Sequence, residues 1–107
     1  MATTYKVLAQ VNPSAATNTT LYTVPTGTSS ISTTLVVCNI GLSGVYRIAV
    51  RPGGATLENK HYIVYDNPLN EGDSRFISIG MTLGATDVVT VYASTANFSF
   101  NLLGAEL

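Results

Sequence analysis

The chain is 107 residues long, the length of one domain, and a second independent core would leave each half near the lower limit of self-sufficient folding. Hydrophobic residues make up 46% and charged residues 10%, against a usual charged share of about a quarter, which excludes a disordered tail and a highly solvated helical protein. Five Lys plus Arg against six Asp plus Glu give a formal charge of -1, with no basic surplus to neutralise a phosphate backbone, so nucleic acid is not expected as a partner.

Apolar and polar residues alternate over short stretches separated by turn-forming clusters, the signature of strands and hairpins. Tyr5 to Gln10 reads as a first strand that ends near Asn12-Pro13-Ser14, because Pro lacks a ladder donor. After a loop to Thr20, Leu21 to Val24 forms a short strand stopped by Pro25, and Thr26-Gly27-Thr28 turns the chain. A long strand from Ser29 to Ile40 is expected to place Ile31, Thr33, Leu35, Val37 and Asn39 on one side, with Val36 and Cys38 making its second half buried on both. Gly41 to Gly44 reads as a hairpin turn into Val45 to Arg51, whose Tyr46, Ile48 and Val50 point inward and Arg47, Ala49 and Arg51 outward.

Pro52-Gly53-Gly54 breaks that strand, and His61 to Tyr65 begins the next, followed by a turn-rich segment from Asp66 to Asp73. Ser74 to Met81 carries Ile77, Ile79 and Met81 on one side, Asp87 to Ala93 carries Val89 and Val91, and Phe98, Phe100 and Leu102 close the pattern. About eight strands at this spacing predict an all-β single-domain sandwich over residues 1–107, jelly-roll-like or immunoglobulin-like in connectivity.

Residues able to do chemistry are sparse: one His, one Cys and six carboxylates leave few ways to assemble an acid/base or metal site, so no enzyme and no cofactor is expected. Glu58, Lys60 and His61 lie together but read as a polar strand entrance, and Asp66, Glu71 and Asp73 read as a solvated turn rather than a calcium loop. The first residues offer no charged region followed by a long apolar stretch, and no apolar run approaches the ~20 residues of a membrane helix. Synthesis in a reducing cytosol, without membrane contact, is the expectation. Cys38 is expected to be a small core hydrophobe that resists thiol reagents.

Arg47 and Arg51 stand four residues apart on one strand and share a face, where they can meet carboxylates of another chain; Tyr46 beside them is the third partner-contact candidate. Soluble monomers usually protect sheet edges with charge, yet Lys6 and Lys60 are the only lysines. Low charge, neutral strand faces and a small core favour a subunit that packs against copies of itself or a larger surface.

Leu21-Tyr22-Thr23-Val24-Pro25, Val36-Val37-Cys38-Asn39 and Tyr46 to Pro52, continued by Asn59 to Ile63 and Thr86 to Ala93, form an ordered pattern that resembles small virion structural proteins of tailed bacteriophages, including phages of cyanobacteria. The resemblance implies a capsid decoration or cement protein, often a β-rich trimer, made in the host cytoplasm and carried on the virion. Its partners would then be itself, as a homotrimer, and the major capsid protein or other virion proteins. A ligand that binds only the assembled shell stabilises it by linkage. A tail, neck, baseplate or fibre-attachment component is the alternative within that class. A small carbohydrate-binding module using Tyr62, Tyr65 or Tyr92 is the alternative outside it.

Overall fold

Residues 3–107 are described by a computed structural model, in which the alternating segments become nine strands in two antiparallel sheets. They are β1 (Thr4–Val11), β2 (Thr19–Thr23), β3 (Ser30–Asn39), β4 (Gly44–Arg51), β5 (Tyr62–Leu69), β6 (Ser74–Ile77), β7 (Met81–Leu83), β8 (Val88–Ala93) and β9 (Phe98–Glu106). One sheet has the order β1-β9-β3-β6, with β7 pairing the other half of β3; the second has the order β2-β8-β4-β5. The apolar sides of the two sheets face each other, as a sandwich requires.

Taking β6 and β7 as one interrupted strand, the chain changes sheets at every step except β4 to β5. That connectivity is a jelly roll. An immunoglobulin fold would instead keep its first two strands in one sheet. The expected hairpin at Gly41 to Gly44 is therefore a crossover between sheets: β3 pairs with β9, β6 and β7, whereas β4 pairs with β5 and β8. Buried Asn39 holds the crossover, its side-chain amide donating to the carbonyls of Leu42 and Leu69 at 2.9 Å each and its carbonyl oxygen accepting from the Gly41 N–H at 3.0 Å. Alternation told which residues of each strand face a core; it carried no information about which sheet the strand joins.

The expected single face of β3 is broken by a bulge. Against β9 the register shifts between Ser32 and Thr34, leaving Thr33 as the extra residue. Ser30 and Ser32 consequently point inward in the first half, Leu35, Val37 and Asn39 in the second, and Ile31 turns outward. β1 shifts register between Val7 and Ala9, beside the Leu102-Leu103 step of β9, one residue from the Leu103-Gly104 step beside which β3 bulges. β6 and β7 pair with the two halves of β3 separately, which is why the expected continuous strand from Ser74 to Met81 is interrupted at 78–80 and Ile79 is exposed.

The core is built on Tyr46, Phe98, Phe100, Leu35, Ile48 and Leu102. The Tyr46 ring lies 6.2 Å from that of Phe98 and 6.4 Å from that of Phe100, within range of favourable aromatic pairing. Each such side chain contributes about 1.5–3 kcal/mol on burial. Tyr46 is 0% exposed, so its assignment as a partner contact is corrected: the ring is an internal layer of the sandwich. Ala49, expected outward, does face away from the core but is covered, flanked in the sheet by Tyr62 and Thr90.

Candidate interaction surfaces

The two outer faces of the sandwich differ in chemistry. On the β2-β8-β4-β5 face, a bulge in β5 puts Asp66 in the left-handed region, at φ 51°, and aims its carboxylate at Arg47. The Arg47 Nε donates to Asp66 Oδ1 at 2.6 Å, and the guanidinium carbon sits 4.3 Å from the Tyr65 ring centre and 4.1 Å from that of Tyr92. The hydrogen bond to Asp66 outweighs partial desolvation and holds the guanidinium even more firmly protonated than usual. Tyr62 packs edge-on against Tyr65, with ring centres 4.9 Å apart, and these two rings with Asn59 line a shallow cleft of about 360 Å³. Arg51, on the same face, donates from Nε to Thr90 Oγ1 and from Nη1 to the Ala55 carbonyl, both at 3.0 Å. Both arginines are thus engaged within their own chain, where they order β5 and the segment after β4.

Between the sheets, at one rim, lies a polar cluster. Glu106 Oε1 meets the Lys6 ammonium at 2.8 Å, and its Oε2 accepts from the Tyr22 hydroxyl at 2.5 Å. With its single proton given to Glu106, Tyr22 accepts from Ser30 at 2.7 Å. Lys6 and then Tyr22 hold the Glu106 carboxyl below the usual carboxylate range, while burial, reinforced by Glu106, pushes the Tyr22 hydroxyl up.

Among the described residues, the outer face of β1-β9-β3-β6 is poor in charge, with Lys6 at the edge of its groove. Residues paired directly across a sheet share a face, so the register puts Tyr5, Ala105, Ile31 and Thr82 in one outward row and Gln10, Asn101, Val36 and Phe76 in another. The charged residues of these strands, Lys6, Arg75 and Glu106, alternate with them and belong to the other side. Tyr5 is 83% exposed and Phe76 66%, with Val7 and Ile31 also open to solvent. Between Tyr5 and Lys6 on one side and Ile31 and Thr33 on the other runs a groove of about 510 Å³ floored by Leu103, Gly104 and Ala105. A Cβ on Gly104 would run into the Ile31 carbonyl, so the bulge level of β9 accepts only glycine. Contiguous apolar surface of this kind marks an interaction site in a soluble domain.

Cys38 belongs to this outer face rather than to the core. It pairs across to Ser99 and Ser74 and is half-buried, which corrects its expected placement. Sequence reasoning missed the face because one-residue slips at Thr33 and between Val7 and Ala9 turn Ile31, Val7 and Tyr5 outward together; the only signal available was the run of strand words without charge. His61 is buried, its Nδ1 accepting from the Glu58 N–H at 3.0 Å, a local tie rather than a ligand. Among the described residues no group of three His, Cys, Asp or Glu can hold a metal ion, and no helix is long and apolar enough to cross a membrane.

No protein-family model matches the chain, and no curated protein or solved structure matches it.

Proposed function

We propose that the chain is a non-enzymatic virion structural subunit, a decoration or cement protein that binds the assembled shell of a tailed phage as a homotrimer and ties neighbouring capsomers together. The observation that carries this reading is the charge-poor outer face of β1-β9-β3-β6 with its exposed Tyr5, Val7, Ile31 and Phe76, opposite a face whose Arg47 and Asp66 pair with each other. Jelly rolls serve capsid proteins, lectins and cupins alike, so the surface supports the reading more than the fold does. Its partners are copies of itself and the major capsid protein. The mechanism is the summed burial of modest apolar contacts across subunit boundaries, which stabilises the bound shell by linkage. The chain is made in the host cytoplasm and carried on the particle.

Labelling of intact particles of the encoding virus with an antibody to this chain tests the reading. Label over the shell is expected; label confined to the tail would transfer the role to a neck, baseplate or fibre-attachment component, and unlabelled particles would end the virion reading.

The cleft of Asn59, Tyr62 and Tyr65 favours a second reading, a glycan-binding module, because it joins aromatic faces to an amide able to bond sugar hydroxyls. Neutral disaccharides that shift the Tyr62 and Tyr65 ring resonances, and lose that effect in Tyr65→Ala, would support it.

A further inference from the structure

We propose that the first half of β1, Thr4 to Val7, is a flap latched to the sandwich by the Lys6–Glu106 ion pair, and that acid opens it while the rest of the strand stays in place. Tyr5 and Lys6 form one wall of the groove on the β1-β9-β3-β6 face, so opening the flap dismantles that groove whatever the face binds. The inference is independent of the virion reading.

Three observations separate the flap from the rest of β1. The first is packing. Thr4, Tyr5, Lys6 and Val7 are all exposed, whereas Leu8, Ala9 and Val11 pack against the core. The register break at Leu8 falls between the two halves, and an irregularity there interrupts the ladder that would make them open together.

The second is anchoring. In the second half, Gln10 Nε2 donates to Asn101 Oδ1 at 2.5 Å, and just beyond the strand Asn12 Nδ2 donates to the carbonyls of Phe98 at 2.6 Å and Ala96 at 3.0 Å. Among the described residues, the side chains of the first half have one polar tie, from Lys6 to Glu106 Oε1 at 2.8 Å. Otherwise the flap is held by main-chain pairing to Leu103 through Glu106, on one side only, because β1 is the edge strand of its sheet.

The third is the setting of Glu106. Lys6 faces its carboxylate from β1 and Tyr22 from β2, with Ser30 of β3 bonded in turn to the Tyr22 hydroxyl. Tyr22, pushed up by burial, keeps its proton in acid, so the carboxyl is the member of this cluster that changes charge there. Held low by Lys6 and then Tyr22, it fastens the flap above the ordinary carboxylate range and lets go as pH falls through the depressed folded value. The ties of Gln10 and Asn12 are amides without charge and do not respond.

Amide hydrogen exchange of the full chain tests this, as protection factors at about pH 6 and about pH 2.5 for wild type, Glu106→Gln and Lys6→Gln. In wild type, the amides that pair Thr4 to Val7 with β9 are expected to lose about fivefold in protection in acid, the worth of one partly exposed charge pair, while those of Gln10 and Val11 hold. Both variants are expected to show the weakened flap already at the higher pH and to lose little more in acid. Lys6 is exposed, so Lys6→Gln keeps the fold, which unchanged protection of β8 verifies, and it leaves the bond from Tyr22 to Glu106 in place. Equal loss through both halves of β1 overturns the proposal, because the strand then opens as one unit. Protection that ignores both pH and the substitutions overturns it as well, and so does a flap that responds to Glu106→Gln but not to Lys6→Gln, since the tie would then be Tyr22.

Discussion

Tyr46 illustrates how a residue's chemistry and its position can point in opposite directions. Tyrosine is common at interfaces because it joins apolar area to a polar tip, but here the ring is sealed between the sheets and the hydroxyl accepts from the Asn67 side chain at 3.1 Å. Tyr46→Ala is expected to cost about 3–5 kcal/mol of unfolding free energy in denaturant titration, and Tyr46→Phe only about 1 kcal/mol, for the one hydrogen bond. Glu106 makes a second prediction at this scale. Its carboxyl titrates below its ordinary value when folded, so the unfolded chain binds more protons and stability rises with pH across that interval. The contribution is complete above about pH 5 and is lost as pH falls through the depressed folded value. Melting temperatures from pH 2 to 7 should fall less steeply at the acid end in Glu106→Gln than in wild type. An identical slope would place the acid sensitivity elsewhere.

Among the elements, β3 shows what one inserted residue does. Strand periodicity is two, so the extra residue at Thr33 lets a single strand present Ser30 and Ser32 inward at one end and Leu35 and Val37 inward at the other. Deleting Thr33 would remove the bulge and give strict alternation that still places Ser30, Ser32, Leu35 and Val37 inward and Ile31 outward, because the three-residue step from Ser32 to Leu35 becomes a two-residue step. The expected outcome is retained β7 pairing, read as slow amide exchange at Met81 to Leu83 alongside β8; fast exchange at β7 would mean that the bulge itself is needed to seat that strand. β5 makes the same point at smaller scale, since its bulge carries Asp66 to Arg47 and through it orders Tyr65 and Tyr92.

Across the whole molecule, the decisive property is the asymmetry of the two outer faces. Charges are gathered on the β2-β8-β4-β5 side and at the rims, and among the described residues are sparse on the opposite face, where Lys6 borders the groove. Association through a charge-poor face has little Coulombic component to screen. Raising salt from about 0.05 M to 0.5 M should therefore change the dissociation constant less than about threefold, whereas sulfate should tighten it by strengthening apolar burial. A steep loss of association with salt would move the contact to the Arg47 face.

The sequence by itself determined the all-β class, most strand positions and the identity of the core from Leu35 to Leu102, because alternation and turn residues are local properties of the chain. It also determined that the surface is poor in charge, which is a matter of composition. The jelly-roll order, the crossover at Gly41 to Gly44 and the outward turn of Tyr5, Val7 and Ile31 were decided only by tertiary structure. The physical reason is that sheet membership and bulges depend on which distant strand supplies the hydrogen bonds. Nothing in the local pattern around Thr33 distinguishes an extra residue from a regular one until β9 lies beside it.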